Sequence, residues 1–289
     1  MTIKQTIKEK CLIIGCGDIG QRLARQIAPL GYQVTGLRRS AVADLTYLRY
    51  HCGDVNNPAD LQALLEENFS VIVISITPDE YTDAGYQRAY VTSCKNLLHT
   101  LDQQQRTPRL ILFVSSTAVY AQNDGSWVDE TSPCEPTSFS GRHLLEAEDL
   151  LRNSDHPYCI VRFSGIYGPG RNRLIEQVNQ KRASASTAFT NRIHVEDCAG
   201  FIAHLIEQGK YQPLEPVYVA TDSRPTPMID IVSWIAKQSS VEDFLSPAVT
   251  NARGNKRLSN RLMLATGYQL RYESFEKGYQ EMLDIYLNQ

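Results

Sequence analysis

Apolar residues follow two alternating rhythms along the first two thirds of the chain. Short, nearly continuous apolar runs fall at residues 11–14, 71–76, 110–114 and 159–163, the pattern of strands covered on both faces in a parallel sheet. Residues 32–37 and 50–52 add two shorter strand candidates, and Val217–Ala220 a late one. Between the runs, apolar positions repeat with helical period. Ile19, Leu23 and Ile27 recur every four residues, and Tyr90, Val91, Cys94, Leu97, Leu98 and Leu101 mark a helix over 87–101. Further helices are expected at 58–67, 141–152 and from about Val195 through Ile206. After residue 171 the alternation loosens. A helix and a Ser/Ala/Thr-rich loop are expected over 172–190, with helices at 229–235, 258–264 and Phe275–Leu287.

The first junction carries the chemistry. The run at 11–14 meets Gly15, Gly17 and Gly20 in GxGxxG spacing and opens directly into the first helix. In a dinucleotide site the first glycine makes the tight turn, the second admits a pyrophosphate to the backbone, and the third lets helix pack on strand. The phosphates then lie at the positive helix end, beside Asp18 and Ile19. The next strand ends in Arg38 and Arg39, about 20 residues on, with no acid. An acid there would hold the free 2′-hydroxyl of NAD, whereas arginine accommodates the 2′-phosphate of NADP, so NADP is favoured over NAD. The alternative is two solvated surface charges. Ligands of open α/β sheets bind at strand carboxyl ends, where Ser75 and the segment from Ser115 to Tyr120 also fall.

Composition removes several function classes. With 289 residues the chain is long enough for a large core, and its net charge of −3 is scattered, unlike a nucleic-acid binder. No run approaches the roughly 20 apolar residues of a membrane span, and MTIKQTIKEK lacks a signal peptide's apolar region. A cytoplasmic protein with a small-molecule substrate, acting as a monomer or homodimer without nucleic-acid or membrane partners, is the expectation. Seven cysteines, an odd number without CxxC, argue against a disulfide framework, and no histidine spacing suggests a metal.

Several separated motifs agree in order with one family. Gly15 to Gly20, Gly53-Asp54-Val55, the helix ending in Asn96-Leu97-Leu98, Ser115 to Tyr120, Arg162 to Gly170 and His194-Val195-Glu196-Asp197 together resemble the extended short-chain dehydrogenase/reductases, the NAD-dependent epimerase/dehydratase family. The short glycine loop resembles the atypical branch. The resemblance implies an α/β fold, a Rossmann-type doubly wound parallel sheet with a smaller C-terminal substrate lobe sharing the core. Residues 1–170 would bind NAD(P) and 171–289 would mainly bind substrate, with 191–220 returning to the first domain. It implies that Asp54 and Val55 lie on the adenine side, that Ser116 orients a substrate oxygen, and that Tyr120, Tyr167 and Arg171 shape or meet the substrate.

One part of the pattern is missing. The family's Tyr-x-x-x-Lys pair supplies a phenol as acid/base and an ammonium that lowers its pKa. Laid on Gly141-Arg142 and Glu148, the Tyr place holds Ser140 and the Lys place Leu144; one residue earlier they hold Phe139 and His143. His143 is therefore the candidate proton carrier. Two readings follow. The first is an NAD(P)-dependent oxidoreductase, epimerase or dehydratase acting on a hydroxyl or carbonyl carbon, with a nucleotide sugar as the candidate substrate. The second is a dinucleotide-binding sensor or regulator that has lost this chemistry, its pocket closed by side chains such as Phe139 and Leu144.

Overall fold

A computed structural model describes residues 9–184, 186–242 and 254–287. The chain begins with β1 (Lys10–Ile14), α1 (Asp18–Ile27), β2 (Gln33–Arg38), β3 (Arg49–Cys52), α2 (Pro58–Leu65) and β4 (Val71–Ile74). It continues through α3 (Asp83–Tyr86), a π-helical stretch (Gln87–Thr92), α4 (Ser93–Gln103), β5 (Leu110–Ser116), β6 (Trp127–Val128), α5 (Phe139–Arg152), β7 (Tyr158–Phe163) and β8 (Gly165–Tyr167). The remainder is α6 (Arg173–Asn179), β9 (Phe189–Thr190), β10 (Arg192–His194), α7 (Val195–Gln208), β11 (Val217–Ala220), β12 (Thr226–Pro227), α8 (Met228–Gln238), β13 (Arg257–Leu258), α9 (Arg261–Ala265) and α10 (Phe275–Leu287).

Seven strands form one sheet in the order β11-β7-β5-β4-β1-β2-β3. This is the doubly wound arrangement expected from the alternating runs: β1 pairs in parallel with both β2 and β4, so strand order reverses beside β1. The central strands are apolar on both faces because both faces are covered. Cys11 to Ile13 and Val71 to Val73 are wholly buried. Helix α1 docks by Leu23, Ala24 and Ile27.

Two expectations about elements are corrected. The helix expected over 87–101 opens as a π-helical stretch, and Ser93 Oγ donates to the Arg88 carbonyl five residues back, serving the widened turn. The helix expected at 258–264 is divided. Ser259 N donates to Val128 O, and Asn260 Nδ2 ties to Thr221 O and Ser223 Oγ, so Arg257–Leu258 is a strand and only Arg261–Ala265 is helical.

The chain divides into two compact units. The first comprises residues 1–119, 136–161 and 199–217; the second comprises 120–135, 162–198 and 218–289. The second has its own core, in which α6, α8 and α10 bury Ile175, Val178, Ile231, Ile235, Tyr279 and Leu283. Among the described residues no helix is long and apolar enough to cross a membrane.

Candidate functional site

In the first unit the glycines separate into three physical roles. Gly15 has φ +78°, and a Cβ there would stand 2.7 Å from Ile76 Cα and 2.8 Å from the Ser75 carbonyl oxygen, so the turn after β1 touches the chain leaving β4. Gly20 is closed in by Ile13 and Cys16, the close helix-to-strand packing expected of a third glycine. Gly17 differs: a Cβ there meets only the Gly15 carbonyl, at 4.0 Å. It is also the N-cap of α1 and has no side chain, so it makes no side-chain cap to the first turn of the helix. Asp18, an acid where phosphate would approach, is held by Arg22 Nε at 2.7 Å across one helical turn. These features fit a bound pyrophosphate.

The two arginines at the end of β2 are placed differently from each other. Arg39 forms a bidentate pair with Asp79, from the segment after β4, which raises its pKa and lowers that of Asp79. Arg38 lies over the Tyr50 ring, 5.7 Å from its centroid. Asp54 accepts from Asn56 N, and its own amide donates to Asp60 Oδ2 at 2.8 Å, fixing the Gly-Asp-Val turn after β3. Val55 is buried, with its carbonyl accepting from Asn96. Ser75 continues the sheet by donating its amide to Ile14 O.

At the carboxyl end of β5, Ser116 is half-buried and its Oγ accepts from Ala118 N at 3.2 Å. Its neighbour Ser115 points inward and donates to Glu148 Oε1 at 2.6 Å; Arg152 holds the other oxygen of that buried carboxylate. The Tyr and Lys places on α5 are both interior. Ser140 is buried and bonded to Ser138 Oγ, and Leu144 is buried in the core. Phe139 packs between Tyr81 and Tyr86, at 5.1 and 5.4 Å between ring centroids. His143 faces carboxylates, with Nε2 3.2 Å from Asp83 Oδ1 and Nδ1 3.6 Å from Glu146 Oε2. Among the described residues no hydrogen bond joins it to Ser116.

In the second unit, Tyr120 and Tyr167 are both buried rather than displayed. Tyr120 Oη accepts from Arg162 Nη1 at 2.7 Å, and the guanidinium also covers its ring. Tyr167 stacks on Tyr279 at 4.9 Å and donates to Ser274 O. It lines a cavity of about 570 Å³ with Arg171, Arg173, Thr190, Asn191 and Arg192. Among the described residues no acid lines that cavity. Arg192 is only 9% exposed and touches Tyr279 Oη, Thr190 Oγ1 and Met228 Sδ; among the described residues no carboxylate closes an ion pair with it. Beneath it, the buried Asp222 donates its amide to Arg192 O, and burial raises its carboxyl pKa to about 7. Asp197, in the first turn of α7, instead braces the chain end, accepting from Tyr268 Oη and from the amides of Arg271 and Tyr272.

Sequence reasoning missed Asp79 and Arg192. Asp79 pairs with a residue 40 positions away, which no local pattern signals. Arg192 sits two residues before the His194 motif, and only its burial beside an acid-free cavity marks it.

The family model for the NAD dependent epimerase/dehydratase family matches residues 11–219. Among curated relatives, Protein YeeZ of Escherichia coli K12 is 33% identical over 214 residues, 70% of this chain and 74% of that protein. Among solved structures, a candidate NAD-dependent epimerase/dehydratase from Methylobacillus flagellatus is 38% identical, covers 96% of this chain and 98% of its own, and superposes with a TM-score of 0.82. The UDP-glucuronic acid 4-epimerase of Bacillus cereus, in complex with NAD, shares the fold at 18% identity, with a TM-score of 0.77 and coverage of 97% and 98%.

Proposed function

Because the chain belongs to the NAD-dependent epimerase/dehydratase family, we infer that it is an NAD(P)-dependent oxidoreductase of epimerase/dehydratase type acting on a hydroxyl or carbonyl carbon of a nucleotide sugar. The observation that carries this reading is the glycine turn at the reversal of strand order, with Gly17 open at the N-terminus of α1 and making no side-chain cap there. Gly15, Gly17, Asp18, Ile19 and Gly20 would hold the pyrophosphate, Asp54 and Val55 the adenine side, and Ser75 the cofactor where it passes the end of β4. Arg38 and Arg39 favour NADP; the exposed Arg39 to Asp79 pair costs little to exchange for a 2′-phosphate. Bound nicotinamide supplies a hydride acceptor and donor.

The protein's own part is orientation and proton management. Ser116 Oγ holds the reacting oxygen, as a hydroxyl that both donates and accepts. His143, its imidazole against Asp83, is the proton carrier that α5 offers in place of the missing phenol. In the second unit, the acid-free cavity with Arg171 and Arg192 suits an anionic substrate and Tyr167 shapes its wall; Tyr120 supports the segment after Ser116. The 1–170 part of the chain would thus bind cofactor and the later part substrate. The opposing observation is α5 itself, where Ser140 and Leu144 are buried and Phe139 is packed by aromatic rings, as a binding protein without turnover would have them.

The deciding experiment measures NADPH and NADH binding by calorimetry, then screens nucleotide sugars for change in cofactor absorbance and for epimerised or dehydrated product. Ser116→Ala should abolish turnover with cofactor affinity unchanged. Full activity in that variant would refute the assignment of Ser116, and cofactor binding with no turnover on any sugar would favour the sensor.

A further inference from the structure

Lys256 is an ammonium that the mechanism above leaves without a task and that the fold holds half-buried, without a carboxylate partner among the described residues. It immediately precedes β13, in the second unit, and is half-buried. Its Nζ donates to the carbonyl oxygen of Tyr120 at 2.9 Å. Among the described residues that is its only hydrogen bond, and no carboxylate pairs with it. An ammonium has three donors, so two remain. Burial shifts its pKa below the usual lysine value, the sign of a charge poorly compensated by the protein.

Among the described residues the surrounding elements supply no counter-charge. Arg257, the next residue, has its guanidinium 5.4 Å from the Trp127 ring centroid and 4.9 Å from that of Phe189. Arg162 is committed to the Tyr120 ring and hydroxyl. Glu130, on the same loop as Tyr120, is turned to Val219 N at 2.7 Å. Asn191 Nδ2 donates to the carbonyl of Lys256 itself, so the backbone carrying the amine is fixed. A rigidly carried, partly desolvated ammonium with spare donors is costly unless a ligand brings the missing charge.

We propose that Lys256, within the second unit, binds an anionic oxygen of a small organic ligand. The ligand chemistry is an oxyanion on a small organic substrate, either a sugar carboxylate or a nucleotide phosphate. No covalent bond is made or broken by the amine; it donates N–H to the oxygen and stays protonated. The proposal rests on the nucleotide-sugar reading for its choice of probe, but not for its test.

The test is trace acetylation of the full-length protein with acetic anhydride, with each lysine quantified by mass spectrometry. Across a pH series, Lys256 should reach half-maximal reactivity at lower pH than the exposed Lys237. Its acetylation should slow about tenfold when malonate or UDP-glucuronic acid is added at ten times its Kd, with Lys237 unaffected. Lys256→Met should bind the protecting anion about 10- to 150-fold more weakly, and Lys256→Arg should retain it. Circular dichroism would check that both variants are folded. Protection by malonate but not by the nucleotide would uphold the amine site and count against the nucleotide-sugar reading. Protection by UDP-glucuronic acid and by UDP-glucose alike would assign the oxyanion to the phosphates. No protection by any of these anions, or unchanged affinity in Lys256→Met, would overturn the proposal and leave the lysine as a brace for Tyr120.

Discussion

Placing an alanine at Gly15 and, separately, at Gly17 should divide one glycine loop into a folding residue and a binding residue. At Gly15 the backbone lies at φ +78°, which costs a non-glycine residue about 1–2 kcal/mol. The added Cβ would also sit 2.7 Å from Ile76 Cα and 2.8 Å from Ile76 N, and these are backbone atoms of the chain leaving β4 that cannot rotate away. Overpacking of this kind costs about 1–3 kcal/mol more. Gly15→Ala is therefore expected to lose about 2–5 kcal/mol of stability by urea denaturation. At Gly17 the φ is −90° and the nearest atom to a Cβ is 4.0 Å away, so Gly17→Ala should cost clearly less stability than Gly15→Ala. What the methyl group occupies is the approach to the α1 amides. If it displaces a phosphate oxygen from one of them, a charge-assisted bond of about 1.5–3 kcal/mol is lost, a 10- to 150-fold weakening of NAD(P)H binding by calorimetry. A Gly17→Ala protein that binds cofactor as tightly as the wild type would refute the assignment of the loop, whatever happens at Gly15.

Other expectations concern charge. Asp79→Ala releases Arg39 from an exposed pair worth up to about 1 kcal/mol, so NADPH should bind up to about fivefold tighter and NADH unchanged, as read by fluorescence titration; equal effects would mean Arg39 does not meet the 2′-phosphate. Asp222, raised by burial from 3.8 to about 7, keeps its proton in the folded protein over a range where the unfolded chain has lost it. Stability should therefore fall as pH rises from about 4 to 7, by roughly 4 kcal/mol from this group, and level off above. Comparing urea midpoints of wild type and Asp222→Asn across that range isolates the effect, and parallel curves would count against it.

The legible parts of the fold were those where burial acts on consecutive residues. Val71 to Ile74 reads as a strand because both faces need apolar side chains, and the glycine turn reads because its spacing is local, although only Gly20 answers a contact within the strand-turn-helix and Gly15 answers the chain leaving β4. The helix expected at 258–264 fails where Asn260 is claimed by Thr221 and Ser223, partners about 40 residues away. The site followed the same rule. Ser116 and the arginines lie in local motifs, whereas the role of Arg39 depends on Asp79, and the amine of Lys256 matters only because it meets a carbonyl 136 residues earlier. Helix α5 shows the converse, since its sequence announces the loss of phenol and ammonium but cannot say that the places left behind are buried.

The pairing of β6 with β13 has a consequence for how the protein is made. Trp127 and Val128 lie beside Arg257 and Leu258, in parallel, so a strand that leaves the ribosome early has no partner until about 130 further residues have been made. The first compact unit contains nothing beyond residue 217 and can assemble while synthesis continues, since domains tend to fold as units in order of emergence. The second unit contains 120–135 as well as the C-terminal segment, so the exposed Trp127 must wait in the growing chain. Nascent chains arrested shortly after residue 217 should protect the sheet from protease while being cut between residues 120 and 135, and chains extended through α10 should lose that cut.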